Sequence, residues 1–156
     1  VIESFPLYFF GMPSQMKATT DRCLPFMLPY MGNLVEDKNA SFHELRDESM
    51  HEKRLVVITT CGYVDEKPMY PALLKQLDLI AGEGHYTAIL CPEGELFIAD
   101  KAKRQREGYL AEITRAGAEF AQNRALSEET KKRIAKPILS PKGFETITLA
   151  HWGMNK

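Results

Sequence analysis

Three apolar runs alternate with stretches of helical period along the chain, and this alternation sets the fold class. The first run, Val1 to Phe5, is followed by Pro6, which cannot donate to a sheet ladder, so a strand is predicted to end there. The second, Arg54 to Thr60, contains Leu55-Val56-Val57-Ile58, the continuous pattern of a parallel strand covered on both faces. The third is Tyr86 to Cys91, followed by Pro92-Glu93-Gly94-Glu95, a turn by composition. After the first strand, Pro13 opens a helix in which Met16, Thr20, Cys23, Leu24 and Met27 recur at helical spacing, and Pro25 and Pro29 kink or stop it. Glu66 to Pro68 leads into a second helix whose stripe is Met69, Leu73, Leu77, Ile80 and Ala81, closed by Gly82 and Gly84.

Past the third strand, Leu96 to Ala99 reads as a short extension or a docking segment. A long helix is predicted from Asp100 to about Leu126. It is expected to turn Leu110, Ile113, Gly117 and Phe120 inward and Lys101, Lys103, Arg104, Arg106, Glu107, Glu112 and Arg115 mostly outward. Ser127 with Glu128 and Glu129 caps another helix that ends before Pro137. Ser140-Pro141 caps a last one with Phe144, Ile147 and His151 on one side, although Thr146 and Thr148 also permit a strand, and Trp152 is expected to pack as a tether. Residues 32 to 53, opening on the turn signal Gly32-Asn33, are polar without a sustained period and read as an excursion. The order strand, helix, strand, helix, strand, helix predicts an α/β fold with a parallel sheet and right-handed crossovers.

Composition narrows the classes. With 156 residues, 44% apolar and 26% charged, one globular domain with a sizeable core is expected. Its net charge of −1 gives no basic field for nucleic acid or an anionic membrane. No run approaches the ~18 apolar residues of a membrane span, which fits a cytoplasmic protein. Cys23, Cys61 and Cys91 are odd in number and far apart, so reduced and mostly buried thiols are expected rather than a disulfide framework or zinc site. His43 and His51 stand eight residues apart without a third ligand, and no metal site is expected. Neither G-x-G-x-x-G, G-x-x-x-x-G-K nor G-x-S-x-G occurs.

The chemistry concentrates where strands give way to loops. Pro6, Tyr8, Pro13, Lys17, Asp21 and Arg22 form the pattern P-x-Y-x-x-x-x-P-x-x-x-K-x-x-x-D-R across a strand, an aromatic glycine-containing loop and a helix. This resembles the second FMN-binding loop of the flavodoxin-like NAD(P)H-dependent FMN reductase and quinone reductase families. Thr59-Thr60-Cys61-Gly62-Tyr63, after the second clear strand, is similar to the T-x-G or T-C-G loop that follows the next strand in those families. The resemblance implies a single flavodoxin-like three-layer sandwich holding strands 3, 4 and 5, with residues 32–53 as an excursion and 127–156 as a helical extension. It further implies that a strand, a phosphate-cradling turn, a helix and a second strand precede Val1. We expect a chain shortened at its amino end, or one that completes its sheet with another chain. Association with a second copy, as a homodimer or homotetramer, or with missing segments is then anticipated through the first strand's edge or the adjoining helices.

By the same resemblance Pro6, Tyr8, Phe9, Phe10, Gly11, Met12, Gln15, Thr60, Cys61, Gly62 and Tyr63 are flavin neighbours, and no side chain is needed as acid or base. The implied activity carries electrons from NAD(P)H through FMN to a quinone, a flavin or another small acceptor. A flavodoxin-like electron carrier, or a flavin-free module in which Tyr8-Phe9-Phe10 is a subunit contact, remains open. His43 and Arg46 would line a flap over the flavin, the plainer alternative being a solvated loop. Lys17 is read as an i, i+4 partner of Asp21. The charges from 101 to 107 are read as a solvated face rather than a nucleotide-phosphate site.

Overall fold

The structure, a computed structural model, describes residues 1–28, 45–65 and 67–154. The Gly32-Asn33 turn, His43 and Glu66 therefore lie outside the described residues. The architecture is α/β: a three-stranded parallel sheet of order β1-β2-β3 and, among the described residues, five α-helices. The strands are β1, Ile2–Pro6, β2, Leu55–Thr60, and β3, Tyr86–Cys91. The helices are α1, Ser14–Arg22, α2, Pro71–Ala81, α3, Lys103–Asn123, α4, Glu128–Ile134, and α5, Pro141–His151. The chain divides into two compact units, residues 1–58 with 70–88 and residues 59–69 with 89–156.

In the first unit the residue just before β1 is already tied to the neighbouring strand, Val1 N donating to the Arg54 carbonyl at 2.8 Å and Val56 N–H to the Val1 carbonyl at 2.9 Å. Pro6 is the last residue of β1 rather than the residue after it. Phe5, Val56, Val57, Tyr70, Leu73 and Leu77 are buried, as the apolar strand runs and the stripe of α2 require. Gly82 ends α2 at φ 88°, a left-handed backbone suited to glycine, and its N–H donates to the Asp78 carbonyl. The Tyr86 hydroxyl donates to Asp78 Oδ1 at 2.8 Å, and burial followed by that carboxylate raises its pKa. Helix α1 departs from expectation: it begins at Ser14 with Pro13 as its cap, stops at Arg22, and buries no residue. Of its apolar stripe, Cys23 and Leu24 are exposed, while Cys61 and Cys91 are buried, so the thiols are mostly buried as expected.

The second unit has its core where the sequence shows only a turn and a short tail. Leu96, Ala99, Ala102 and Phe144 are buried together, with Val64, Ile138, Leu139 and Ile147 packed on them. Leu96 and Ala99 are thus core, within and just after a 3-10 turn over Gly94–Phe97, whereas Ile98 between them is exposed. The inward stripe of α3 is rotated from the predicted one: Tyr109 and Ala116 are buried, whereas Leu110 and Gly117 face solvent. Arg106 also turns inward, its Nη1 donating to the Phe97 carbonyl at 2.8 Å, and the Phe97 and Tyr109 rings meet edge to face at 5.9 Å. Tyr109 Oη donates to the Ile134 carbonyl at 2.9 Å, tying α3 to α4. Ser127 and Ser140 cap α4 and α5 as expected, accepting from the Thr130 and Gly143 N–H groups. The segment from Pro141 is helix, not strand, and Trp152 is 60% exposed against His151 rather than a packed tether. Among the described residues no helix is long and apolar enough to cross a membrane.

Candidate functional site

The proline at the end of β1 releases the chain from the ladder, and the next residues form a two-residue reversal. Tyr8 N–H donates to the Gly11 carbonyl at 3.3 Å and Gly11 N–H to the Tyr8 carbonyl at 3.1 Å. Phe9 and Phe10 sit between them with φ 48° and 63°. Positive φ at both central positions is the mirror-image hairpin turn, normally filled by Asn-Gly or Gly-Gly. Two bulky aromatic residues there are strained. The strain is not relieved by burial, because Phe9 is 101% exposed and Tyr8 and Phe10 are also exposed. The N–H groups of Phe9 and Phe10 have no acceptor among the described residues. A Cβ added to Gly11 would meet nothing within 4 Å, which leaves open space beside the main chain.

The rest of the predicted set in this unit surrounds that turn in sequence. Pro6 is exposed at the strand end, and Met12 Sδ accepts from Thr20 Oγ1 at 3.7 Å. Gln15 lies exposed in the first turn of α1, its Oε1 accepting from Ser14 Oγ at 3.1 Å. Lys17 pairs with Asp21 at 2.5 Å, as its spacing indicates. Arg46 donates from Nε to the Pro25 carbonyl at 2.9 Å, so this residue holds the backbone after α1. A groove of about 540 Å³ in the same unit is lined by Thr20, Leu24, Met27, Gln76, Leu79 and Ile80, among others, and none of the predicted site residues lines it.

Thr60, Cys61, Gly62 and Tyr63 belong to the other unit, at the carboxyl end of β2. Cys61 is buried and its thiol donates to the Tyr63 carbonyl at 3.8 Å, while its N–H donates to the Cys91 carbonyl at 3.0 Å. Tyr63 presents an exposed ring. This loop is built together with the turn after β3. Glu93 N–H donates to the Tyr63 carbonyl at 3.0 Å, and Gly94 N–H to the Cys61 carbonyl at 2.6 Å. Both glycines serve close approach: a Cβ at 94 would come 3.1 Å from Thr60 Cβ, and one at 62 would come 3.2 Å from Glu95 Oε1.

Sequence reasoning missed Glu93. It is 0% exposed, it adopts φ 55°, and its carboxylate accepts from the main-chain N–H groups of Ile138 and Leu139. Burial raises the pKa of its carboxyl, an effect that the bonds from Leu139 and Ile138 oppose. A glutamate between proline and glycine carries the same local signal as any solvated turn, so only its bonds from the partly buried Ile138 and Leu139 amides reveal its role. Comparison of the chain with protein-family models, with curated proteins and with solved structures finds no match.

Proposed function

We propose that this chain is a flavodoxin-like, FMN-dependent oxidoreductase domain in which the Tyr8–Met12 turn meets the isoalloxazine ring. The observation that carries this reading is the turn itself, with two adjacent left-handed aromatic residues exposed at the carboxyl end of a parallel strand. Open α/β sheets bind ligands at that end, and strained backbone is retained where function requires it. The order β1-β2-β3 is compatible with strands 3, 4 and 5 of a three-layer flavodoxin-like sandwich. Exposed rings, and N–H groups without an acceptor among the described residues, suit a planar ligand with an apolar face and a polar edge.

Bound FMN supplies hydride acceptance from NAD(P)H and electron transfer to a quinone, a flavin or another small acceptor. The chain itself binds and orients. The Phe9 and Phe10 N–H groups would donate to the polar edge of the ring and stabilise the negative charge it gains on reduction. Pro6, Tyr8, Met12 and Gln15 would shape the ligand's surroundings on this unit. The resemblance further assigns Thr60, Cys61, Gly62 and Tyr63 as flavin neighbours, of which Tyr63 presents an exposed ring. No side chain is required to move a proton.

Titrating FMN with the chain tests the proposal. Quenching of flavin fluorescence, a rise in melting temperature, and weaker binding by Phe9→Ala are expected. FMN that changes neither fluorescence nor melting temperature overturns it. Bleaching of the bound flavin by NADPH distinguishes a reductase from an electron carrier. The complete exposure of Phe9 also favours a second reading, a flavin-free module that uses this turn as a subunit contact. In that case light scattering would show an oligomer that Phe9→Ala dissociates and FMN leaves unchanged.

A further inference from the structure

The turn after β3 holds two carboxylates of different character. Glu95 is half-buried beside Gly62, whereas Glu93 is wholly enclosed. A carboxylate withdrawn from water is normally paired with a cation. Glu93 has no ion pair among the described residues, and its acceptor capacity is met by main-chain N–H groups alone. Leu139 N–H lies 3.0 Å from Oε2 and 3.3 Å from Oε1, and Ile138 N–H also donates to Oε2. One oxygen therefore receives both amides.

The main chain of the same residue works in the opposite direction. Its N–H holds the Tyr63 carbonyl, its carbonyl accepts from Leu96 N–H at 2.9 Å, and its left-handed backbone swings Gly94 N–H onto the Cys61 carbonyl. Glu93 is thus a junction of three segments: the loop after β2, the turn after β3, and the stretch leading into α5. Ile138 and Leu139 are themselves packed on Leu96, Ala99, Ala102 and Phe144, so the anchor to which the carboxylate fastens is fixed by core packing. We infer that Glu93 is a positioning residue that sets the shape of the Thr60–Tyr63 loop by clamping the turn after β3 to the Ile138 and Leu139 amides. The identity of the loop's ligand rests on the flavin reading above, whereas the clamp does not.

Three full-chain variants test this. In Glu93→Gln the side-chain carbonyl still receives both amides through one oxygen. Glu93→Ala removes the acceptor, and Glu93→Gly removes it while relieving the left-handed backbone, which keeps the test open if the alanine variant does not fold. Hydrogen exchange followed by mass spectrometry is read at 59–64, 92–96 and 136–140, with FMN titration alongside. Loss of the two amide contacts to an enclosed acceptor is expected to speed exchange about tenfold at Cys61, Gly94, Ile138 and Leu139 in the alanine or glycine variant. FMN affinity is expected to fall by a similar factor. Glu93→Gln should restore both to within about twofold, a rescue that filling a space would not give.

Exchange at 59–64 that is unchanged in the variants lacking the acceptor overturns the clamp, as does a glutamine variant that behaves like alanine. A wild-type chain that ignores FMN, yet loosens at 59–64 in Glu93→Ala, supports the clamp and sinks the flavin assignment instead.

Discussion

Phe9 and Phe10 hold φ of 48° and 63°, and Glu93 holds 55°, so each of two loops after a parallel strand contains side-chain-bearing residues in the left-handed region. Around Glu93 the strain is offset from within: two main-chain bonds leave the residue, its carboxylate takes two more, and it is sealed from water. Around Phe9 there are, among the described residues, only the two bonds that close the turn, and the rings face solvent. A strained backbone stapled on every side is a structural joint. One that is held by so little, and that displays aromatic surface, is where the proposed ligand would supply compensation.

If this contrast is right, perturbing the enclosed side should be far more damaging than perturbing the open one. Leu96→Ala, beside Glu93 in the buried cluster, should lower unfolding free energy by about 2 to 5 kcal/mol in urea titrations. A loss below that range would mean that the cluster is loosely packed. Replacing the open turn by its favoured residues, Phe9→Asn with Phe10→Gly, should act in reverse, raising stability by roughly 1 to 3 kcal/mol while weakening FMN binding. A double variant that is less stable than wild type would show that the rings are buried by the chain after all. Ser140→Ala, which removes the cap just after the Leu139 amide, should cost about 1 kcal/mol of thermal stability. Lys17→Ala, at an exposed pair, should change stability by roughly 0.5 kcal/mol or less and only at low salt.

Acidity provides a further comparison between the two sides. Burial lifts the folded-state pKa of Glu93 above its ordinary value, so the group contributes stability that is fully present below the ordinary glutamate range and is lost as pH rises through the folded value. Wild type should therefore lose stability relative to Glu93→Gln as the solution is taken from acid towards neutrality. No such difference should separate wild type from Phe9→Ala. Parallel curves for wild type and Glu93→Gln would show that the carboxyl is not held in the environment described.

The strands and the helix caps were legible because their signals are local. An unbroken run such as Leu55 to Ile58 buries itself wherever it lies in a parallel sheet, and Ser127 and Ser140 satisfy the amides that immediately follow them. The face of α3 was misjudged by one position because Tyr109, with a hydroxyl to satisfy, competes with Leu110. The Ile134 carbonyl decides for the tyrosine. Arg106 was misplaced for the same reason, since a guanidinium with the Phe97 carbonyl in reach turns inward. The aromatic turn was visible as composition but not as strain, because backbone angles of Phe9 and Phe10 are not written in residue type. Glu93 was invisible, its partners lying 45 and 46 residues further on.

That separation also bears on the order in which the protein is made. Both strands flanking the Thr60–Tyr63 loop leave the ribosome well before Ile138 and Leu139 exist outside it, so the carboxylate awaits its amides during synthesis. For that interval the loop after β2 lacks the clamp that Ile138 and Leu139 later complete, so its shape depends on a segment made 45 residues after the glutamate.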